Sequence, residues 1–523
     1  MVTFLSAAQA AELVRDGQRV GISGFGGWSA PDDILRGIAD RYARTGSPGN
    51  LTVYAGVVPG DMTEDGYGLS TLGAEGLVTT LVAGQTGQAP RIFRALGENR
   101  IAGYCLPLGV VGHLFEAMAG KKPGVLTHVG LHTFCDPRLD GCRMNDAARA
   151  QGRELVSLME VDGREYLFYH ALAPMDVCII HATYADEDGN ISFDELPFIS
   201  EQPEMAHACH NNGGIVIIQV KEIVQRGSIH PRSVLIHSSC VDYVVKADPA
   251  NHPQGYMDSS RLRLELTGAI KLPLSALPPM KLNVRKAIGR RAAMELRENA
   301  LVNLGIGLPD GVAAVANEEG ISDRITLAVE TGTFGGVPVG SVGMGAAVNP
   351  EALYRITDNF DLYDGGCLDM TCLGMAEADQ EGNVNVSKFA GRVVGPGGFI
   401  NISQNTPKVC FLASFTAGKS DIEISEGALH IRSDAPGVKF RQHVEQVTFS
   451  ARYARQTGQE VFYITERAVF QLTERGLTLV EIAPGADLSR DILAHMEFRP
   501  AVSEQLKLMD ERIVRAEKMG LVF

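Results

Sequence analysis

The sequence has little of what marks several common protein classes. It carries one tryptophan in 523 residues, nine cysteines without a CxxC pair, and 47 basic residues against 62 acidic ones. The resulting net charge of −15 argues against nucleic acid or an anionic membrane surface as the main partner. The odd number of scattered cysteines indicates free thiols in a reducing compartment. We therefore expect a protein that binds neither nucleic acid nor membrane.

Targeting signals and long apolar runs are also missing. The first residues, MVTFLSAAQAAELVRDG, lack the basic stretch and the apolar core that are typical of a secretory signal. No apolar run approaches the roughly 20 residues that a membrane span needs. On these grounds we expect a cytoplasmic location.

Three familiar catalytic motifs are absent as well. The glycine-rich segment GFGGWS does not match GxGxxG, and no acidic residue closes a following strand at the required spacing. Neither the GxxxxGK motif of a phosphate-binding loop nor the GxSxG motif of a serine hydrolase occurs. The sequence therefore gives only weak support to a dinucleotide-binding fold, and none to a P-loop or a serine hydrolase.

Histidines and cysteines form only weak metal-binding patterns. His128 and His132 stand four residues apart, and His207, Cys209 and His210 form a cluster. Neither group has convincing further ligands nearby in the sequence. We interpret these residues as structural and expect no metal site.

What the sequence does have is abundant glycine and an alternation of strand and helix patterns. Glycine accounts for 58 residues, which is well above the usual fraction of about 7%. Strand-like apolar runs recur between helical patterns, and this alternation favours an α/β fold with mainly parallel sheet. The runs include NLTVYAG (50–56), VTTLVAG (78–84), DVCIIHATYA (176–185), GGIVIIQV (213–220) and VDYVVKA (241–247).

A proline-rich segment divides the sequence. KLPLSALPPMKL (271–282) has three prolines and little charge, which is typical of a linker. It separates a predicted N-terminal domain (1–270) from a predicted C-terminal domain (283–523). The C-terminal domain opens with a predicted helix, NVRKAIGRRAAMELREN (283–299), whose apolar residues share one face.

The two parts of the sequence resemble each other. RVGISGFGGWSAPDDI near the start and LVNLGIGLPDGV after the linker each lead a small apolar strand into glycines, before Pro-Asp opens a helix. A second match, between ADEDGNISF (185–193) and ADQEGNVNV (378–386), follows in the same order. The two matches lie farther apart in the first part. We infer two related halves, of which the first carries a large insertion.

The end of the sequence has a different pattern. EVFYITERAVFQLTERGLTLVEIAPG (460–485) predicts three short strands joined by tight connections. DLSRDILAHM and SEQLKLMDERIVRAE, which follow it, predict two helices.

One acidic residue stands out in LAVETGTFGGVPVG (327–340), where Glu330 follows a strand-like run and precedes small residues. Ligands of open α/β sheets bind at the carboxyl ends of strands. A carboxylate there can attack an activated acyl group and form an anhydride, provided that backbone N–H groups stabilise the oxyanion. The glycine turns GIG and GPGG could supply such donors. On these residues alone, however, a strand end that faces water explains Glu330 more simply.

Several motifs together resemble the family I CoA-transferases. They are LAVETGTFGGVP, NLGIGLPDG, GRVVGPGGFINISQNTPKV and YITERAVFQLTERGLTLVEIAPGADL. The most similar groups are the single-chain acetate or propionate CoA-transferases and the acyl-CoA:3-ketoacid CoA-transferases. With further matches the resemblance extends from about residue 16 to the C-terminus.

The resemblance implies two related open-sheet α/β domains of the CoA-transferase fold, with an alpha-subunit-like half fused to a beta-subunit-like half. It implies that CoA moves from an acyl-CoA to a small carboxylic acid, in the metabolism of short-chain fatty acids or ketone bodies. Coenzyme A is then a substrate, and no cofactor is permanently bound. A homo-oligomer, often a tetramer, is expected.

The family also assigns roles to positions that match its motifs. Glu330 corresponds to the nucleophile, which forms an acyl–glutamyl anhydride and then a glutamyl–CoA thioester with ping-pong kinetics. The two oxyanion donors are backbone N–H groups, one at Ile306 in LGIGL and the other at Gly397 or Gly398 in GPGGF. Of the last two we expect Gly397.

Other residues are expected to contact the substrates. Lys388 and Arg392 are candidates for the CoA phosphates, although both could equally be solvated surface charges. Leu108 stands in LPLG where relatives tend to have glutamine, and Phe334 stands in TGTFGG. Both changes suggest an acid larger or more apolar than acetate or propionate. Trp28 either lines the pocket or packs in the core, and the remaining candidates are the glycines Gly26, Gly335, Gly336 and Gly398.

Three alternatives remain open from the sequence. An acyl-CoA hydrolase of the same superfamily would let water intercept the covalent intermediate. A nicotinamide-dependent oxidoreductase could be built on the glycine turns. A non-catalytic acyl-CoA-binding protein would bind CoA esters without a covalent adduct.

Overall fold

The computed structural model describes residues 2–64, 66–256, 261–273, 280–340 and 343–523. The predicted linker (271–282) lies partly outside these residues, because 274–279 are not among them. The domain boundaries that we drew on either side of it therefore stay a prediction. We call the chain before the linker the N-terminal half and the chain after it the C-terminal half.

The N-terminal half alternates strands and helices, as the sequence predicts. Its helices are α1 (Ala7–Ala11), α2 (Asp32–Thr45), α3 (Pro90–Gly97), α4 (Leu108–Ala119), α5 (Asp146–Gln151) and α6 (Gln202–Asn211). Its strands are β1 (Thr3–Leu5), β2 (Arg19–Ile22), β3 (Leu51–Val57), β4 (Val78–Gln85), β5 (Ala102–Cys105), β6 (Gly124–Thr127), β7 (Val156–Val161), β8 (Arg164–His170), β9 (Val177–Asp186), β10 (Ile191–Ser192), β11 (Ile215–Val224) and β12 (Tyr243–Lys246).

The C-terminal half repeats this alternation. Its helices are α7 (Val284–Ala293), α8 (Asp310–Glu319), α9 (Ile356–Asp364), α10 (Phe399–Asn405) and α11 (Ala451–Thr457). Its strands are β13 (Leu301–Leu304), β14 (Thr326–Val329), β15 (Thr333–Phe334), β16 (Val337–Pro338), β17 (Ala347–Val348), β18 (Ala352–Leu353), β19 (Met370–Gly374), β20 (Glu377–Asp379), β21 (Val384–Asn385), β22 (Lys388–Phe389), β23 (Arg392–Val393), β24 (Lys408–Leu412), β25 (Thr416–Ala417), β26 (Asp421–Ser425), β27 (Ala428–Ser433), β28 (Gly437–Val438), β29 (Phe440–Arg441), β30 (Glu460–Ile464), β31 (Ala468–Thr473), β32 (Gly476–Ile482) and β33 (Ala501–Leu508).

The two large sheets share a strand order. In the first sheet the order runs β12-β11-β9-β2-β3-β4, and in the second it runs β30-β24-β19-β13-β14-β15. The first five strands of each series are parallel to their neighbours. The predicted α/β class with two related halves is therefore confirmed. The insertion in the first half lies between β3 and β9 and includes a small antiparallel sheet, β6-β8-β7.

The second repeated motif folds the same way in both halves. The Asp186 carboxylate accepts hydrogen bonds from the backbone N–H of Asp188 and Asn190 and from the Asn190 amide, at 2.9–3.0 Å. Asp379 accepts the same three kinds of bond from the residues at the same spacing, at 2.9–3.1 Å. An aspartate that bonds the backbone of its own turn fixes a tight hairpin. The two sequence matches therefore mark one repeated structural unit.

Apolar side chains join the halves. One buried cluster contains Phe25, Trp28, Val57, Leu108 and Phe198 of the N-terminal half together with apolar residues of the C-terminal half. Because these buried side chains of the two halves pack against each other, contact between them holds the halves in their relative position. The junction is important because the candidate site lies beside it.

Some helix predictions need correction. The helix predicted over 283–299 begins as expected, where Asn283 caps the backbone N–H of Lys286, but it ends at Ala293. Of the two C-terminal helix predictions, the one over 487–496 is confirmed only as irregular helix, and the one over 503–517 is wrong because its first residues form a strand. Leu488–Ile492 and Leu493–His495 form only short helical turns, and Ala501–Leu508 is an edge strand that pairs with β32. Pairing with a neighbouring strand overrides the local preference of residues such as Glu504 and Lys507 for helix.

Within the described ranges, no helix has both the length and the apolar character that crossing a membrane requires. All nine cysteines are free thiols, as the sequence predicts.

Candidate active site

Glu330 lies directly after a buried strand of the second sheet. β14 ends at Val329, and Glu330 begins a tight turn that returns the chain antiparallel as β15. Gly332 completes the turn with a φ of +95°, a conformation that favours glycine. The Asn359 side chain donates a hydrogen bond of 3.0 Å to the Glu330 carbonyl oxygen. Strand end, turn and side-chain contact together hold Glu330 at the carboxyl edge of the sheet.

A cavity of about 320 Å³ opens in front of this glutamate. Apolar side chains from the C-terminal half form most of its wall, among them Val329, Leu373, Met375 and Phe399. The GIG and GPGG turns border it, and Gln85 reaches it from the N-terminal half. The cavity therefore combines a carboxylate, two backbone turns and an apolar wall.

The Glu330 carboxylate touches the GPGG turn. The backbone N–H of Gly398 donates a hydrogen bond of 3.0 Å to Glu330 Oε2. A methyl group built at Gly398 would overlap this oxygen, although the Gly398 backbone itself is right-handed helical. Glycine is required here for close approach rather than for an unusual φ.

Burial changes the acidity of this carboxyl group. Glu330 is half-buried among apolar side chains, and desolvation raises its pKa to about 7, while the hydrogen bond from Gly398 acts in the opposite direction. At neutral pH a large fraction is therefore ionised and weakly solvated. A carboxylate in this state is a better nucleophile than one stabilised by water or an ion pair.

The two backbone N–H groups that we predicted as oxyanion donors differ in whether they already form a hydrogen bond. Ile306 lies at the cavity in the GIG turn, and its N–H has no hydrogen-bond partner among the described residues. Gly397 also lines the cavity, but its N–H donates to the Gly84 carbonyl oxygen at 2.9 Å. The oxyanion role of either glycine stays a prediction, but the N–H that contacts Glu330 belongs to Gly398, whereas the Gly397 N–H already has a partner.

The N-terminal half holds the GPGG turn in place. Besides the bond from Gly397 to Gly84, the N–H of Leu108 donates to the Gly397 carbonyl oxygen at 2.9 Å. Thr86 donates its N–H to the carbonyl oxygen of Val394 at 2.7 Å, and its hydroxyl to that of Val393 at 2.6 Å. The position of the Gly398 N–H thus depends on contacts between the two halves.

Four predicted substrate contacts are not among the described residues that line the cavity. Leu108 is 2% exposed, and its side chain packs against Gly84, so it supports the GPGG turn. Phe334 packs edge-on against Tyr354 with ring centroids 5.1 Å apart. Gly335 and Gly336 both have a φ of +72°, and added methyl groups there would overlap neighbouring residues of the β15–β18 region.

Gly26 and Trp28 lie in the junction between the halves. Trp28 is 2% exposed, its indole N–H donates to the Met344 carbonyl oxygen at 3.0 Å, and its ring packs edge-on against Phe198. A methyl group at Gly26 would meet the Met344 side chain. Of the two roles that the sequence left open for Trp28, the structure places it in packing.

Lys388 and Arg392 belong to the short β22–β23 hairpin. Phe389 and Val394 of this segment line the cavity, so both cations flank its wall. Arg392 is exposed and Lys388 is half-buried, and neither forms an ion pair within the part of the chain that the structure describes. Their role toward the CoA phosphates therefore stays a prediction.

The histidines that the sequence singled out lie in two separate parts of the N-terminal half. His128 Nε2 lies 2.6 Å from Asn405 Oδ1, and His207, Cys209 and His210 belong to α6. Across the described residues, no group of three or more histidine, cysteine, aspartate or glutamate side chains is arranged to hold a metal ion.

Sequence reasoning missed two residues of the site. Gln85 ends β4 beside a glycine, and the strand-end rule that identified Glu330 could have found it. Asn359 lies in the middle of α9 and supports Glu330 from a distance of 29 positions in the chain. No local sequence pattern predicts a contact between residues that are this far apart in the chain.

Known proteins resemble this chain along its whole length. A family model described as Coenzyme A transferase matches residues 4–247. A caffeate CoA-transferase from Acetobacterium woodii is 44% identical over 532 residues, which cover 100% of this chain and 99% of that protein. Acetate CoA-transferase YdiF from Escherichia coli (strain K12) is 40% identical over 522 residues, with coverage of 100% and 97%. A crystal structure of acyl-CoA transferase YdiF from E. coli O157:H7, described as a thioester complex with CoA, matches with a TM-score of 0.93 and 39% identity over 100% of this chain and 98% of that one.

Proposed function

The chain belongs to the coenzyme A transferase family, and we propose that it carries CoA from an acyl-CoA to a free carboxylic acid on Glu330. The observation that carries this proposal is the placement of the carboxylate. Glu330 faces a largely apolar cavity, its pKa is raised to about 7 by burial, and a backbone N–H of a glycine turn contacts one of its oxygens.

The first half-reaction has two steps. The Glu330 carboxylate attacks the thioester carbonyl carbon, the C–S bond breaks, and CoA leaves as a thiolate, so that an acyl–glutamyl anhydride forms. The thiolate then attacks the glutamyl carbonyl carbon of the anhydride. The original acid leaves as its carboxylate, and Glu330 is left as a glutamyl–CoA thioester. No net proton transfer is needed.

The second half-reaction reverses these steps with another acid. Its carboxylate attacks the glutamyl thioester, CoA leaves as a thiolate, and the thiolate then attacks the acyl carbonyl carbon of the new anhydride. A new acyl-CoA and the free Glu330 carboxylate result. Each tetrahedral intermediate carries an oxyanion, and the N–H groups of Gly398 and Ile306 are the proposed donors to it.

The related proteins support this mechanism. Two of them are named as CoA-transferases, one for caffeate and one for acetate. A related structure is described as a thioester complex with CoA. A covalent thioester of CoA on Glu330 is the corresponding species for this chain.

We propose an acid larger or more apolar than acetate as the preferred acyl group. The wall of the cavity is formed by side chains such as Leu373, Met375, Phe389 and Phe399, and burial of such surface contributes about 25 cal/mol per Å². Acetate leaves most of this wall uncovered. Because Leu108 and Phe334 are not among the described lining residues, we assign the preference to the residues that line the cavity.

The CoA tail must be bound outside the cavity. Lys388 and Arg392 are the proposed partners of its phosphates, since they flank the cavity on one hairpin and form no ion pair with another described residue. Binding energy from this remote part of CoA can be used at the reacting carbonyl.

A transfer assay tests the proposal. The protein is incubated with an acyl-CoA alone and with a series of acids that runs from acetate to an aromatic propenoic acid such as caffeate. We expect acceptor-dependent formation of the new acyl-CoA, parallel lines in double-reciprocal plots, and higher kcat/KM for the larger acids. Release of free CoA without an acceptor would support the hydrolase instead, and acetate as the best acceptor would contradict the proposed substrate class.

A further inference from the structure

The cavity contains few polar side chains. Apart from Glu330, only Gln85 and Asn303 are polar among the described lining residues, and no lysine, arginine or histidine is among them. A substrate carboxylate that enters carries a full negative charge into a mainly apolar space. Its charge must be met by neutral N–H donors, because burial of an unpaired charge is costly.

Asn303 cannot be this donor. Its amide donates to the Ala328 carbonyl oxygen at 3.1 Å and to the Tyr363 hydroxyl at 3.4 Å. Its amide oxygen accepts from the Thr371 hydroxyl at 3.1 Å. These hydrogen bonds occupy the Asn303 side chain, which links strands β13, β14 and β19.

Unlike the Asn303 carboxamide, the Gln85 carboxamide forms no hydrogen bond with another described residue. Its backbone oxygen accepts from the Val58 N–H at 2.9 Å, but its side chain has no hydrogen-bond partner within the described ranges. The side chain is half-buried and lies about 4 Å from the position that a Gly397 Cβ would occupy. It therefore stands beside the GPGG turn, one residue away from the N–H that contacts Glu330.

The backbone that carries Gln85 is held in place by its neighbours. Gly84 and Thr86, on either side of Gln85, form the hydrogen bonds that hold the GPGG turn. The backbone of Gln85 and the GPGG turn are thus joined across the two halves, and the carboxamide extends from this backbone beside the turn. A carboxamide offers two N–H donors, and a hydrogen bond from such a donor to a carboxylate is roughly twice as strong as one between neutral groups.

We propose that Gln85 binds the carboxylate of the acid substrate and holds it for attack on the glutamyl–CoA thioester. This inference rests on the proposed function of Glu330. One carboxylate oxygen accepts the Gln85 Nε2–H while the other attacks the glutamyl carbonyl carbon. The C–S bond breaks, CoA leaves as a thiolate, and no proton is transferred. Acylated Glu330 carries no charge, so the incoming anion meets no like charge at that moment.

According to this proposal, a substitution of Gln85 weakens binding of the acid but still allows the CoA adduct to form. Replacement of Gln85 by methionine keeps the length of the side chain and removes both donors. Gln85→Glu keeps the shape and adds a negative charge that repels the acid. Gln88→Met is a matched control, since Gln88 lies three positions further along the same segment and is not among the described lining residues.

The experiment measures the CoA adduct and its discharge. Each protein is loaded with an acyl-CoA, the adduct is quantified by intact mass, and its loss is timed against increasing concentrations of the acid. For Gln85→Met we expect the adduct to form and the half-saturating acid concentration to rise by about 10- to 100-fold, as expected for a lost hydrogen bond to a charged group. The limiting rate at saturating acid should change much less. Gln85→Glu should require still more acid, and Gln88→Met should match the unmutated protein.

Two other results have distinct meanings. An unchanged half-saturating acid concentration in Gln85→Met, equal to that of Gln88→Met, would overturn the role of Gln85 and leave the function of Glu330 standing. An absent adduct in the unmutated protein would overturn the proposed function itself, and the role of Gln85 with it.

Discussion

Glu201 accepts a hydrogen bond of 3.0 Å from the backbone N–H of Gly56. Glu201 is the N-cap residue of α6 and Gly56 lies near the end of β3. In the C-terminal half the equivalent N-cap residue is Gly398 of α10, and Glu330 follows the equivalent strand β14. Each half therefore contains one hydrogen bond between a glutamate carboxylate and a glycine N–H. In the N-terminal half the helix N-cap supplies the carboxylate and the strand supplies the N–H. In the C-terminal half the residue after the strand supplies the carboxylate and the helix N-cap supplies the N–H.

The different location of the glutamate in the two halves explains why only the C-terminal half is a candidate for catalysis. Glu201 is 1% exposed, so its carboxylate is enclosed between the strand and the helix. Glu330 is placed on the strand side, and its carboxylate borders the cavity. A covalent nucleophile must be reachable by its substrate, and of the two only Glu330 meets that condition.

Gly398→Ala should disable the nucleophile without unfolding the protein. The added methyl group overlaps Glu330 Oε2 and lies 3.0 Å from the Phe360 ring, while the right-handed backbone tolerates alanine. We expect formation of the CoA adduct to slow by at least about 100-fold, with little change in Tm. Gly120→Ala, at the end of α4 where the nearest atom is 3.5 Å away, is the control. An adduct that forms at the normal rate in Gly398→Ala would count against the contact with Glu330.

Thr86→Val tests whether the N-terminal half holds the GPGG turn. The substitution removes the hydroxyl bond to Val393 and keeps the backbone bond to Val394. We expect a loss of about 1 kcal/mol of stability and a fall in kcat of roughly 10-fold, because small displacements of an oxyanion donor are costly. Denaturant unfolding and steady-state rates measure the two effects. Thr457→Val, at an exposed helix end, should change neither; equal kcat in both variants would refute the supporting role.

The rate of adduct formation should follow the ionisation of Glu330. Only the carboxylate attacks, and burial raises its pKa to about 7. The rate should therefore increase about 10-fold per pH unit below about 7 and level off above it. Substrate acids of ordinary pKa stay ionised through this range. Stopped-flow or quenched-flow loading from pH 5.5 to 8.5 gives the profile, and a flat profile would contradict the assignment.

Glu201→Gln should flatten the dependence of stability on pH. Burial raises the pKa of Glu201 to about 7, so the folded state binds its proton more tightly than the unfolded state does. The contribution of this protonated carboxyl group to the free energy of unfolding is fully present below the ordinary carboxyl pKa of about 4.3. It is lost as pH rises through about 7. Glutamine keeps an oxygen for the Gly56 N–H and cannot ionise. Tm should fall less between pH 6 and 8 in Glu201→Gln than in the exposed control Glu474→Gln; equal falls would contradict the enclosed carboxyl.

Parts of this fold were predictable because they depend on local pattern. Apolar runs such as those of β9 and β11 are buried on both faces of a parallel sheet, so the sequence there is continuously apolar. The end of β14 was predictable for the same reason, and with it the place of Glu330. The repeated Asp-to-Asn turns around Asp186 and Asp379 identified the related halves.

Other parts depend on contacts that no local pattern contains. β33 has residues that favour helix, and only its pairing with β32 makes it a strand. The difference between Gly397 and Gly398 as donors is set by Gly84, which lies far away in the sequence. Leu108 was expected at the acyl group because it occupies a motif position where relatives tend to have glutamine, but the part of it that contacts the GPGG turn is its backbone N–H.

The most direct test of the central claim is peptide mapping after incubation with an acyl-CoA and no acceptor. Borohydride reduction converts a glutamyl thioester to an alcohol and leaves a mass change on one peptide. We predict this change on the peptide that contains Glu330, its loss in Glu330→Gln, and its retention in Glu351→Gln, a nearby exposed carboxylate. No adduct with several acyl-CoA donors, or an adduct that persists in Glu330→Gln, would contradict the assignment of Glu330 as the covalent nucleophile.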